Sequence, residues 1–186
     1  AMALYEPGRG YYSNGLTPFG EQGDFITAPE SGRLFGRCLA RSIASILEQV
    51  DAGDVLELGA GSGVLAAVVL EELQRLGVTP RRYLILERTA AMRDLQQKRL
   101  RDISASTGIS VEWLDRLPDD PIDGVVFGNE VADALPVKRF YWHDDKVACL
   151  GVARDGAALS NCRVSANDDI TGYVCGLAKD YGWQTV

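Results

Sequence analysis

Between residues 34 and 50, Leu34, Phe35, Cys38, Leu39, Ile43, Ile46, Leu47 and Val50 recur at three- and four-residue spacing, the stripe of a helix with one buried face. The stripe stops at Asp51-Ala52-Gly53. Asp54-Val55-Leu56-Glu57-Leu58 is then a short, mostly apolar run that leads into Gly59-Ala60-Gly61-Ser62-Gly63, after which Val64, Leu65, Val68, Val69 and Leu73 resume helical spacing. The order is strand, glycine loop, helix. Tyr83 to Leu86 predicts a second strand, and residues 89–106 a long helix with Met92, Leu95 and Leu100 on its apolar side. Ile109 to Trp113 and Val125 to Phe127 predict two further strands, with Pro118 and Pro121 punctuating the connection. Strands alternating with helices predict an α/β fold: a parallel sheet with helices on both faces and right-handed crossovers.

Beyond Pro136 the pattern changes. Arg139 to Trp142, Lys146 to Ala153 and Ala158 to Val164 are strand-like runs separated by Asp144-Asp145 and Asp155-Gly156, which predicts an antiparallel β meander, and a last helix is expected from Asp168 to Asp180. The first thirty residues show little periodicity apart from short extended stretches. Their Tyr5, Tyr11, Tyr12, Phe19 and Phe25 supply more aromatic surface than a solvated tail carries, so residues 1–31 read as an arm that packs on the fold. The expected organisation is this arm, a core over residues 32–136, and a meander with terminal helix over residues 137–186, in the same domain or opening a substrate-side region.

A chain of 186 residues, 46% hydrophobic and 24% charged, is an ordinary globular chain of about one domain, which removes disordered and coiled-coil readings. Its 19 Lys and Arg against 26 Asp and Glu leave a net charge of −7, with no run of basic residues to line up on phosphates, so nucleic acid is not expected as a partner. The longest apolar stretch, Val64 to Leu70, is far too short to cross a bilayer, and no export pattern opens the chain; no membrane insertion and an intracellular location are expected. Cys38, Cys149, Cys162 and Cys175 are widely spaced and read as buried free thiols. With a single histidine, His143, they make no metal cage. His143 reads as part of a solvated turn. Nothing in the sequence sets an oligomeric state.

The chemistry concentrates at strand ends. Glycines in Glu57-Leu58-Gly59-Ala60-Gly61-Ser62-Gly63 allow a sharp turn and close approach of a ligand to backbone, while the following helix offers free N–H groups. The spacing G-x-G-x-G is complete, whereas the dinucleotide fingerprint needs glycine where Val64 stands, which argues against a nicotinamide cofactor. An acidic loop suits a cation: Glu57 can meet the cationic end of S-adenosylmethionine, directly or through water. Glu87, followed by Arg88, closes the second strand, where a carboxylate can accept from both ribose hydroxyls. Trp113, Leu114 and Asp115 end the third, suited to sandwich an adenine and accept from its amine, and equally explicable as a core tryptophan before a turn. Asn129, Glu130 and Asp133 follow the fourth strand, where they can orient a nucleophile and take its proton; a helix cap is the competing reading.

Several strings together resemble one family, the MidA-like class I S-adenosylmethionine-dependent methyltransferases, which include the mitochondrial complex I assembly factor with protein-arginine methyltransferase activity. They are Tyr5 to Tyr12, Gly23-Asp24-Phe25-Ile26-Thr27-Ala28-Pro29-Glu30, Leu34-Phe35-Gly36, the Glu57 to Gly63 loop, Glu87, and Asn129-Glu130-Val131-Ala132-Asp133-Ala134-Leu135-Pro136. The resemblance implies a Rossmann-like sheet, S-adenosylmethionine as donor with S-adenosylhomocysteine as product, and a protein side chain, arginine in the mitochondrial relatives, as acceptor. It implies that Gly23, Asp24, Phe25 and Thr27 lie over the cofactor or the substrate entrance. It also implies the cytoplasm for a bacterial chain and the mitochondrial matrix for a eukaryotic one. Family members are longer, so this chain reads as a shortened form, and Ala1-Met2-Ala3 as a non-native start. Val131-Ala132 stand where relatives tend to have aromatic residues. Two rivals stay open: a cofactor-binding assembly scaffold without turnover, and a nicotinamide-dependent oxidoreductase on the same sheet.

Overall fold

The computed structural model describes residues 2–6, 8–11, 28–50, 53–144 and 146–183. Gly23, Asp24, Phe25 and Thr27, with Tyr12 and Phe19 of the expected arm, lie outside the described residues. The chain divides into two compact units, Ala1–Leu135 and Pro136–Val186.

In the first unit, β1 (Asp54–Leu58), β2 (Tyr83–Leu86), β3 (Val111–Leu114) and β4 (Gly124–Gly128) form a parallel sheet in the order β3-β2-β1-β4. Three long helices belong to it: α3 (Arg33–Leu47), α4 (Val64–Leu76) and α5 (Ala90–Thr107). Val55, Tyr83 and Ile85 of the sheet join Ile43 and Leu47 of α3, Leu70 and Leu73 of α4, and Leu100 of α5 in one buried cluster. β1 has a hydrogen-bonded strand on each side, and its first four residues, Asp54 and Glu57 included, are buried. α4 and α5 both stop at a glycine in the left-handed region, Gly77 and Gly108, as helix ends commonly do.

The expected stripe of α3 is met only in part, since Leu34, Phe35, Cys38 and Ile46 are exposed and the buried face runs through Gly36, Ala40, Ile43, Ala44 and Leu47; three further details depart from the sequence pattern. The buried face of α5 runs through Met92, Gln96 and Leu100, not Leu95, so a glutamine occupies a core position. The arm contains two single-turn helices, α1 (Met2–Tyr5) and α2 (Ala28–Ser31), where short extended stretches are expected. A 3-10 turn, Ala132–Ala134, follows β4.

In the second unit, β5 (Arg139–His143), β6 (Lys146–Asp155) and β7 (Ala158–Ser165) form the expected antiparallel meander. α6 (Asp168–Asp180) opens on Asn167, whose side chain accepts from the Ile170 N–H at 3.1 Å, with Asp168 and Asp169 in its first turn and Lys179 in its last. It packs along β6 and buries Val174 and Ala178. His143 ends β5, its Nδ1 3.1 Å from the Asp144 carboxylate. Cys38, Cys149 and Cys162 are free thiols, but the expected burial is not met: Cys38, on the outer face of α3, is exposed, and Cys149, Cys162 and Cys175 are only half-buried. Among the described residues no helix is long and apolar enough to cross a membrane.

Asp54 starts the central strand and is buried, yet it is charged. Arg81 and Arg82, at the entry to β2, each donate twice to it, with the closest approach 2.6 Å in both. The Arg81 guanidinium, with Arg82 beside it, holds the Asp54 carboxyl well below its ordinary value. The stability this contributes is present above the usual carboxylate range and is lost as pH falls through acid. Asp54→Asn is expected to cost about 2 kcal/mol at pH 7, discounted for the half-exposed arginines. Urea midpoints should show the gap to wild type narrowing at about pH 3.

Candidate functional site

The register of the parallel sheet aligns the strand ends. Leu58 lies beside Leu86 on one side and Gly128 on the other, and Leu86 beside Leu114. The ladder runs one residue further, with Gly59 N–H donating to Leu86 O at 3.0 Å and Glu87 N–H to Leu114 O at 3.1 Å. Asp115, Glu87, Gly59 and Asn129 therefore emerge in one row at the carboxyl edge, about 14 Å across for three strand spacings. In open α/β sheets that edge is where ligands bind.

The glycine loop leaves β1 through alternating left-handed residues: φ is 62° at Gly59, 53° at Gly61 and 81° at Gly63. Side chains rarely adopt that backbone. Ala60 and Ser62, the residues between, are buried, and Gly63 N–H closes the turn on Ala60 O at 2.8 Å. α4 starts at Val64, whose N–H donates to Ser62 Oγ at 3.4 Å, and Gly63 brings no side chain to cap the rest of its first turn. Leu58, just before the loop, is half-buried.

Gln96 ties three of the expected cofactor residues together. Fully buried, its amide nitrogen donates to Gly61 O at 2.9 Å and to Glu87 Oε2 at 3.3 Å, while its oxygen accepts from Trp113 Nε1 at 2.9 Å. The other Glu87 oxygen accepts from the backbone N–H of Thr89 at 2.9 Å and from its hydroxyl. These donors fix the carboxylate while each oxygen keeps acceptor capacity. Sequence reasoning missed Gln96 because it stands in a polar-faced helix; the signal was its place four residues from both Met92 and Leu100. Trp113 packs against the core as well as holding Gln96, Leu114 is half-buried, and Asp115 and Arg88 are exposed.

Glu57 is only 2% exposed. The Tyr83 hydroxyl donates to its Oε2 at 2.6 Å, diagonally across the β1–β2 pair. Burial pushes its carboxyl up to about 7, only partly offset by that bond, and burial likewise raises the Tyr83 phenol. Contact between Glu57 and a ligand's cationic end would therefore be made from inside the wall beneath the loop.

On the far side of the row, Asn129 is half-buried and Glu130 exposed. Glu130 has φ of 51°, one of two non-glycine residues in the left-handed region among the described residues. Such strain gathers at functional sites. Neither residue caps the following 3-10 turn, whose first residue Ala132 is preceded by Val131 without a side-chain cap. Asp133 lies exposed within that turn. Val131 folds back toward the glycine loop, where a Cβ on Gly59 would approach it to 3.3 Å. The arm reaches the same segment through Tyr5, whose hydroxyl donates to Ala134 O at 2.8 Å.

Comparison with known proteins gives consistent matches. Residues 38–181 match a family model described as "Putative S-adenosyl-L-methionine-dependent methyltransferase". The mitochondrial protein arginine methyltransferase NDUFAF7 homolog of Caenorhabditis elegans is 30% identical over 154 residues, 73% of this chain and 36% of that protein. Its Bos taurus counterpart is 30% identical over 163 residues, 74% of this chain and 36% of that protein. A solved Burkholderia thailandensis protein, titled as a methyl transferase candidate and bound to S-adenosyl-homocysteine, superimposes with a TM-score of 0.77 at 37% identity, covering 94% of this chain and 46% of that one. The chain thus spans little more than a third of the length of these curated relatives.

Replacing Gln96 by leucine strands Trp113 Nε1 and Gly61 O, and is expected to lower stability by about 1–3 kcal/mol in urea unfolding. For Glu57 the raised value means that the folded protein keeps a proton the unfolded chain releases between 4.5 and about 7. Stability should therefore fall by up to about 3 kcal/mol as pH rises through that window. In Glu57→Gln this slope is expected to vanish, as read from urea midpoints at several pH values.

Proposed function

This chain belongs to the family of putative S-adenosyl-L-methionine-dependent methyltransferases whose model it matches, and from that premise we propose that it binds S-adenosylmethionine at the carboxyl edge of its parallel sheet and transfers the methyl group to a protein side chain. The observation that carries the reading is the convergence of the left-handed glycine loop, the oriented Glu87 carboxylate and the strained Glu130 along one sheet edge.

The residues present suit the cofactor. Bare backbone at Gly59, Gly61 and Gly63 admits close approach, and the Glu87 oxygens suit a ribose diol. Glu57 and Leu58 lie before the loop and Ala60 and Ser62 are buried within it, with Trp113, Leu114 and Asp115 on the side of the expected adenine end and Arg88 exposed after Glu87. When bound, the cofactor supplies a methyl group on a sulfonium centre. In-line displacement needs little acid–base help, so holding donor and acceptor in line is the main contribution of the chain, worth about 7–11 kcal/mol at most. Glu130, with Asn129 and Asp133, stands where an acceptor would lie. Two exposed carboxylates there favour a cationic nucleophile, consistent with the arginine chemistry in the relatives' names. The compartment follows the source: mitochondrial as in those named relatives, or cytoplasmic for a bacterial chain.

S-adenosylhomocysteine, and not NADH, is expected to raise the thermal midpoint of the intact chain. In Gly61→Val that shift should disappear, since valine cannot follow the loop backbone without strain and fills the space above it. A shift retained by the variant would refute the placement. Incubation with methyl-labelled donor and cell extract should label a protein; binding without label would make the chain a cofactor-binding scaffold.

A further inference from the structure

The meander of the second unit has two unlike faces. α6 and Trp183 cover one: Trp183 stacks on Phe140 with ring centroids 6.2 Å apart and meets Trp142 edge-on at 6.0 Å. Strand alternation and register place Arg139, Tyr141 and His143 of β5, Lys146 and Arg154 of β6, and Arg163 of β7 together on the opposite face. All four of these cations are exposed, and among the described strand residues of that face none is aspartate or glutamate, the Asp144 carboxylate standing at its margin 3.1 Å from His143 Nδ1. Among the described residues none of the four makes an ion pair. Val152 and Leu159, on the same face, are exposed apolar residues.

Four unpaired like charges gathered on one face of a chain whose net charge is −7 are a segregation, and they repel one another until an anion meets them. Arg139 and Arg163 flank Leu150 in the register, about 10 Å apart across two strand spacings. An extended polypeptide spans that distance in about three residues. The Arg163 guanidinium lies 4.0 Å from the centre of the Tyr141 ring, whose other neighbour is the parallel ring of His143 at 6.2 Å. The aromatic surface is thus capped by a guanidinium, which presents a planar fork for carboxylates in place of a bare platform for bases.

We propose that this face docks an acidic segment of a partner protein, rich in aspartate and glutamate, with Arg139 and Arg163 at the centre of the contact and Lys146 and Arg154 at its ends. Val152 and Leu159 offer apolar contact between the charges. Every residue of this surface belongs to the second unit, and every residue of the proposed cofactor site to the first.

The test uses the intact chain and a fluorescently labelled polyglutamate of about 20 residues, followed by anisotropy. Binding should weaken about tenfold or more between about 50 and 300 mM salt. Arg139→Ser with Arg163→Ser should weaken it about tenfold at the lower salt, and Lys146→Ser with Arg154→Ser, which disturbs no aromatic contact, by a smaller factor. Failure of the wild type to bind, or equal binding by both double variants, overturns the proposal. Tighter binding of an oligothymidylate of equal charge overturns it in favour of nucleic acid. Sedimentation showing a dimer that both double variants dissolve overturns it in favour of a second copy of the chain.

Discussion

The alignment of strand ends in the parallel sheet is the constraint on which the candidate site depends. Parallel strands all exit on the same side, so Leu58, Leu86, Leu114 and Gly128, once in register, deliver their successors to one edge whatever the loops contain. β1 is hydrogen-bonded on both sides, and Val131, from the segment after β4, stands beside its exit at Gly59. A chain leaving such a position must turn at once, and left-handed glycines permit it. The features that suit a nucleoside cofactor are in this sense consequences of where the central strand stops.

The same short strand carries two buried carboxylates in opposite circumstances. Asp54, at its start, faces two guanidinium groups and stays charged far into acid. Glu57, three residues later, has a phenol as its hydrogen-bond partner and holds its proton toward neutrality. The first fastens the closed end of the sheet, away from the loop. The second lies just under the glycine turn, where a positive ligand would favour its ionised form.

Much of this was readable in advance, and the failures have physical reasons. Tyr83 to Leu86 and Asp168 to Asp180 coincide with their elements because apolar period and flanking polar residues agree there. The family strings and the matching model point to the same chemistry. Gln96 was hidden because a buried polar residue is identified by its partners, and Gly61, Glu87 and Trp113 come to it only through tertiary packing. The Tyr83 bond to Glu57 depends on strand register, which composition does not encode. The positive φ of Glu130 has no signature in a residue type that normally avoids it. In the arm, Pro29 inside α2 fits a helix's first turn, a signal outweighed by the surrounding Gly and aromatic residues.

The bonding of Gln96 also restricts what evolution can place at that position. With an indole donor on one side and a carbonyl and a carboxylate on the other, only a group that accepts at one end and donates at the other is complementary. Glutamate would set a second negative charge against Glu87, asparagine would fall a methylene short, and lysine would leave the indole facing another donor. Gln97 and Lys98, the exposed residues that follow it in α5, answer to no such demand and are free to drift. Homologues that keep this pocket should therefore hold an amide of this length on a helix whose outer surface has otherwise been rewritten.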